Sequence, residues 1–308
     1  MTRRRTTAWL VLAIVALTLP GHWMTHVVAA QGDGTDVRPW TPEAERPQQA
    51  GQAGILPDQR VLSYYGFPGN PLMGILGEYE MEALYGRLQD QAAEYEAADP
   101  SRPVKLAFEI IATVAQRDPM DNGQYIAYTD DEIIQQYVDF TAERDMLLIL
   151  DVQFGLSSVE EQIDSVREWL TIPHVHIALD PEFLVQPGEQ PGVDLGSIEG
   201  SDVTYAQEEM AQLAREAGIP PKILIVHQFN VFMIDNKEVI APVDGVQLVI
   251  DADGWGPPAD KQASYEVVIT QEPIEFHGVK LFYRQDDPMM SAADILALEP
   301  TPDLVIYQ

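Results

Sequence analysis

The tripeptide Asp180-Pro181-Glu182 sets two carboxylates one residue apart at the end of an apolar run, Val175-His-Ile-Ala-Leu179. In an extended chain, residues i and i+2 share a face, so both acids can enter one pocket. Burial and mutual repulsion there raise a Glu pKa toward neutrality, which suits it to donate a proton. Glu182 is therefore the expected general acid/base, with Asp180 positioning and polarising it. A strand-ending Asp, a proline turn and a surface Glu would give the same letters.

Other apolar runs end in similar chemistry. After Val104–Phe108 comes Glu109, after Leu147–Leu150 come Asp151 and Gln153, and after Ile223–Val226 come His227 and Gln228. Asp251, Asp253 and Trp255 follow Val246–Ile250, and Asp286 follows the run Val279–Tyr283. In a glycosidase arrangement Asp251 or Asp286 would act across a sugar ring as base or nucleophile. His227, Gln228 and Tyr283 would hold hydroxyls, and Tyr64, Tyr65 and Trp255 would supply rings for stacking. Glu109, Asp151, Gln153 and Asp253 complete the expected polar lining. The same carboxylates could instead bind Mg²⁺ or Ca²⁺ through oxygen, although the expectation is a site without metal or cofactor. His227 is the only histidine at a strand's exit; His174 and His176 open the fourth run, at the opposite end. No G-x-S-x-G, P-loop or H-E-x-x-H pattern occurs.

Eight short apolar runs are needed to hold these residues together: 61–65, 104–108, 147–150, 175–179, 223–226, 246–250, 279–283 and 304–307. Their near-continuous hydrophobicity suits parallel strands buried on both faces. Helical patterns alternate with them, over Leu72–Ala98, Asp130–Arg144, Ser157–Leu170 (opening on a capping-box pattern), Thr204–Ala217, Val231–Ile240, Lys261–Thr270 and Ser291–Leu298. Strict alternation through eight strands predicts an α/β fold, a (β/α)₈ TIM-type barrel over 61–308 whose eighth helix is missing. A doubly wound open sheet would also alternate, but no Gly-rich phosphate loop follows the first run. In such barrels the C-terminal strand ends carry the site, which is where the polar residues fall.

The chain has 308 residues, 18 Lys+Arg against 49 Asp+Glu, a formal net charge of −31 and no cysteine. Such a surface repels phosphate backbones, so no nucleic-acid partner is expected. The absence of cysteine excludes disulfides, thiolate nucleophiles and a lipidated N-terminal Cys. Arg3–Arg5, the apolar Ala8–Leu19 and Val28-Ala29-Ala30 form a signal-peptide pattern over 1–30, which predicts a secreted protein with no stable membrane insertion after cleavage. Residues 31–60, rich in Gln, Gly, Pro and Asp, read as a disordered linker, part of which could cover the gap left by the eighth helix.

The chain resembles a group of exported bacterial barrel proteins, often lipoproteins. The resemblance rests on Tyr64-Tyr65-Gly66-x-Pro68, Gly74-Ile75-Leu76-Gly77, Asp180-Pro181-Glu182 and Lys222-x-Leu224-x-x-His227-Gln228-Phe229. It continues through Met233-Ile234, Asp251-x-Asp253-Gly254-x-Gly256, Lys261 and Tyr307-Gln308. It implies a secreted barrel and carries no activity with it. A weaker likeness is to chitinase-like glycosidases, whose fourth strand ends D-x-D-x-E; here Ala178 stands at the first acid. The expectation is a glycoside-hydrolase-like protein acting on a cell-surface or environmental polysaccharide. A divalent-metal hydrolase or phosphodiesterase, and a non-catalytic saccharide-binding envelope protein, remain as alternatives.

Overall fold

Eight parallel strands pair in sequence order and close on themselves in the computed structural model, which describes residues 54–308. The segment 1–30 and residues 31–53 lie outside the described residues. The strands are β1 (Arg60–Gly66), β2 (Val104–Ala115), β3 (Leu147–Gly155), β4 (Val175–Leu184), β5 (Lys222–Gln228), β6 (Val246–Ala252), β7 (Phe276–Leu281) and β8 (Leu304–Tyr307). Closure is direct: Val61 pairs with Leu304 on one side of β1 and with Lys105 on the other. This is a TIM-type (β/α)₈ barrel and excludes the open sheet.

Six helices lie outside the barrel: α1 (Met81–Ala98), α2 (Asp131–Glu143), α3 (Val159–Leu170), α4 (Gly200–Ala217), α5 (Pro258–Tyr265) and α6 (Ala292–Leu296). Helix α3 starts with a formed capping box, Ser158 with Glu161, one residue later than the expected start. Helix α1 starts at Met81 rather than Leu72. Residues Asn70 to Gly77 instead fold back on the end of β1, and a Cβ at Gly77 would stand 2.1 Å from the Asn70 carbonyl oxygen. The expected helix Val231–Ile240 is replaced by two 3₁₀ turns, Val231–Met233 and Lys237–Val239. Between them Ile234 pairs with Ile198, and Asn236 sits in the left-handed region, which ends any helix there.

The eighth-helix position lies between α6 and α1, and these two pack against each other. Residues 54–59 cover a different place, the N-terminal mouth of the barrel. There the Gln247 side-chain oxygen accepts the Ile55 and Leu56 amides at 2.9 and 3.1 Å. Among the described residues no helix is long and apolar enough to cross a membrane.

Two apolar layers hold the barrel. One lies between strands and helices, with Leu62, Phe108, Leu148, Ile177, Leu224 and Val305 among its members. The other fills the interior through Val61, Ala107, Ile149, Ala178, Ile225, Val249 and Ile306. Because side chains alternate along a strand, the interior positions can be followed upward two at a time. One step above the apolar plug they become Tyr65, Glu109, Asp151, Asp180, His227, Asp251, Lys280 and Gln308.

Candidate active site

His227 sits at the centre of this polar layer, fully buried. Its Nε2 lies 2.9 Å from Glu109 Oε1 and its Nδ1 lies 3.0 Å from Asp251 Oδ2. Each ring nitrogen thus faces a carboxylate oxygen, an arrangement that favours the doubly protonated, imidazolium form. Burial and the Lys280 charge oppose that state, but the bonds to Asp251 and Glu109 outweigh them and hold its pKa well above the ordinary value. Asp151 Oδ1 and Asp253 Oδ2 stand 3.8 Å from the two nitrogens, so four carboxylates surround one cation.

Lys280, on the inward face of β7, is the second buried cation. Its ammonium lies 3.7 Å from the Tyr65 ring centroid and 3.9 Å from Asp253 Oδ2. Burial works against its charge, but Asp253, Glu109 and Asp180 keep its pKa above the ordinary value. Two cations thus face Glu109, Asp151, Asp180, Glu182, Asp251 and Asp253. Burial is the main cause that lifts Asp151 to about 6, Asp180 to about 7 and Glu182 to about 8. Neighbouring carboxylates add to it: Glu109 acts on Asp151, Asp151 on Asp180, and Asp180 on Glu182. Asp253 is raised as well, again first by burial, with Lys280 and His227 pulling against it.

Above this layer lies a cavity of about 410 Å³, within the usual range of small-molecule sites. Asp180, Glu182, Asp253, Asp260 and Lys280 supply its charges; Tyr65, Phe183, Phe229, Trp255 and Phe282 supply its rings. Glu182 is enclosed by the wall yet retains partial exposure to the cavity. The loop after β1 reaches the wall because Gly66 and Gly74, both at positive φ, pack backbone on backbone. A Cβ on Gly74 would meet the Tyr65 carbonyl oxygen at 2.4 Å.

Of the expected residues, Asp180, Glu182, Asp253, Gln153, Tyr65 and Trp255 line the cavity. Glu109, Asp151, Asp251 and His227 lie fully buried in the layer around it. Gln153 accepts the Ala115 amide at 2.8 Å, and its amide nitrogen stands 3.5 Å from Asp180 Oδ2. Four expected residues lie elsewhere. Tyr64 alternates with Tyr65 and so faces the helices, edge-on to Tyr283 and Tyr307. Tyr283 stacks on Tyr307 and donates to Gln91 in α1. Gln228, next to His227, points outward and accepts Lys237 Nζ at 2.9 Å. Asp286 does not line the cavity; its oxygens accept the Gly256 amide at 2.8 Å and the Phe282 amide at 2.9 Å, with Lys261 3.4 Å away. That latch ties the β6 loop carrying Trp255 to the end of β7.

Lys280 was absent from the expected site. Its signal is a lysine inside the apolar run Val279–Leu281, at an inward register. Phe183, Phe229, Phe282 and Gln308 were also missed, because aromatic and amide residues beside strand ends look like ordinary core.

Two groups, Glu109–Asp151–His227 and His227–Asp251–Asp253, bring ligand-capable atoms within 4.8 Å of one another. Both share His227, whose nitrogens are each engaged by a carboxylate, so a metal would have to displace a proton from the ring.

No family model matches the chain, and no curated protein is similar to it. Among solved structures it is similar to a GH5-4 broad-specificity endoglucanase from Clostridium longisporum, at 8% identity and a TM-score of 0.41, over 75% of this chain and 76% of that one. The barrel itself is established by the closed strand order.

Proposed function

We propose that the protein is a glycoside hydrolase that cleaves a polysaccharide by carboxylate acid/base catalysis, with Glu182 as proton donor. One observation carries this: Glu182 lines a cavity walled by aromatic rings, beside Asp180 on the same strand, where burial and that carboxylate raise its pKa to about 8. A carboxylic acid neutral at physiological pH can give its proton to a leaving oxygen. Glycosidic cleavage also builds positive charge on the sugar ring, which ionised carboxylates stabilise. Asp253 lies two strands away; burial raises its pKa, but Lys280 and His227 beside it pull toward the ionised form, and it takes the role of base or nucleophile. It replaces Asp286, whose oxygens are occupied, and Asp251, which lies beneath the cavity against His227.

Rings on the wall and charged donors and acceptors at the floor match the two faces of a sugar. Export of the protein belongs to the same proposal, supported by the Arg3–Arg5 and Ala8–Leu19 pattern. A mature N-terminus near Gln31 in mass spectra of the medium would support it, and an intact Met1 there would end it.

The test is turnover of a panel of polysaccharides by wild type and Glu182→Gln, with and without chelator. The amide keeps the shape and removes the transferable proton, so the rate should fall about 10²–10⁴-fold while ground-state binding changes little. An unchanged rate removes Glu182 from the chemistry. Loss of wild-type activity to the chelator transfers the site to metal hydrolysis at the His227 groups.

A further inference from the structure

The charges facing the cavity do not balance. Even with Glu182 neutral, Asp180, Asp253 and Asp260 line it against Lys280 alone. His227 does not make up the difference, because Glu109 and Asp251 already take both of its nitrogens. Two of the lining carboxylates also have an oxygen with no hydrogen-bond partner among the described residues: Asp180 Oδ1 and Asp253 Oδ1. Both residues are more than nine-tenths buried. An ionised oxygen left in that position is costly unless something in the cavity donates to it.

Resting on the hydrolase reading above, we propose that the substrate is a cationic glycan, an amino-sugar polymer whose free primary ammonium groups bind between Asp180 and Asp253. An ammonium carries three donors and a full positive charge, so it satisfies both open oxygens and offsets the excess of carboxylate. A hydroxyl satisfies an oxygen and leaves the charge. A metal ion is matched less well here. Both groups that could chelate one depend on His227, whose two nitrogens face Glu109 and Asp251, and neither includes Asp180.

Lys280 repels an ammonium, but its charge is already shared with Asp253 Oδ2 at 3.9 Å and with the Tyr65 ring, and the Oδ1 atoms of Asp180 and Asp253 are the ones left open. The whole molecule points the same way, since a net charge of −31 draws a polycation toward the cavity and repels a polyanion. Trp255, 58% exposed at the rim, adds a ring face open to a sugar or an ammonium.

Binding of such a ligand has a proton signature. Asp180 is surrounded by Gln153 and Asp151 on β3, Tyr65 on β1, Glu109 on β2, Glu182 on its own strand, His227 on β5, Asp253 beyond β6 and Lys280 on β7. In that company it is partly protonated near pH 7. An arriving cation favours its ionised form, so protons are released.

The experiment is titration calorimetry on Glu182→Gln, which binds without turnover, near pH 7 in two buffers of different ionisation heat. The probes are glucosamine tetramer, N-acetylglucosamine tetramer and glucose tetramer. The glucosamine chain should bind at least ~10-fold tighter than the other two, release protons and weaken with salt. Asp180→Asn and Asp253→Asn, checked for folding by their melting curves, should each lose that preference. Equal or tighter binding of an N-acetylated or neutral chain overturns the proposal, and needs no further variant to do so. It is equally overturned if the preference survives both substitutions, which would place the cation on the acidic coat. Wild-type assays keep the two readings apart. A glucosamine chain that binds as described but is never cut removes the hydrolase. A neutral chain that is cut, with no preference for the amine, removes only the cationic substrate.

Discussion

At the scale of single residues, the site is governed by one imidazolium among four carboxylates. His227→Gln keeps hydrogen-bonding capacity and removes the charge, leaving Glu109 and Asp251 buried without their hydrogen-bonded cation and with Lys280 alone to offset them. Breaking a buried pair from one side typically costs ~3–5 kcal/mol. Urea denaturation of the variant and the wild type at pH 7 checks this, and a loss under ~1 kcal/mol would show that the ring acts by packing alone. Asp180-Pro181-Glu182 was legible at this scale, since the period of two put both acids on the inward face of β4. The same period separates Tyr65 from Tyr64 and His227 from Gln228. Choosing which neighbour faces inward required the register of the barrel, which no short segment contains.

The strands and loops that carry these residues are fitted to them closely. Gly278 on β7 pairs with Asp251 on β6, and a Cβ there would stand 2.8 Å from Asp251 Oδ1 and 3.1 Å from its Cα. Gly278→Ala should therefore destabilise the protein by ~1–3 kcal/mol through overpacking and push Asp251 off His227. Gly86, in α1 with nothing within 4 Å of an added Cβ, makes the contrast: Gly86→Ala should stabilise by ~0.5–1 kcal/mol. Thermal melts of the two variants compare them, and equal shifts would contradict the close fit at β7. Strand order and most helices could be read from the apolar rhythm because strands buried on both faces have little freedom in composition. The segment after β5 could not. Val231, Phe232 and Ile234 have helical spacing, but the Asn236 turn and the pairing of Ile234 with Ile198 override it. The Asp286 latch was hidden too, since a carboxylate that caps backbone amides looks in sequence like one that faces a substrate.

Over the whole molecule, the buried acids should set the dependence of stability on pH. Asp151, Asp180 and Glu182 have folded pKa values of about 6, 7 and 8, above their unfolded ones. The folded state therefore holds more protons than the unfolded state between about pH 4 and pH 8, and stability falls as pH rises through that window. Each group contributes up to ~1.4 kcal/mol per pH unit where it alone discriminates the states. His227 acts in the same direction: its raised pKa gives stability that is complete below its unfolded value and lost as pH climbs through the folded one. Melting temperatures should be higher at pH 5–6 than at pH 8–9. Lys222 and Lys237, lowered by burial to about 7 and 8, and His176, also lowered by burial, oppose this trend. The test therefore compares wild type with Asp180→Asn at the same pH values. The variant's melting temperature should fall less as pH rises, and an equal fall would mean that Asp180 is not held protonated.

The central claim is that Glu182 is a neutral acid at physiological pH, and carboxyl ¹³C NMR measures this without any substrate. Spectra of protein labelled at the Glu side-chain carboxyl, recorded through a pH titration for wild type and Glu182→Gln, isolate one resonance by difference. The account predicts that this resonance titrates with a midpoint near 8. A midpoint in the ordinary carboxylate range, near 4 to 4.5, would contradict it.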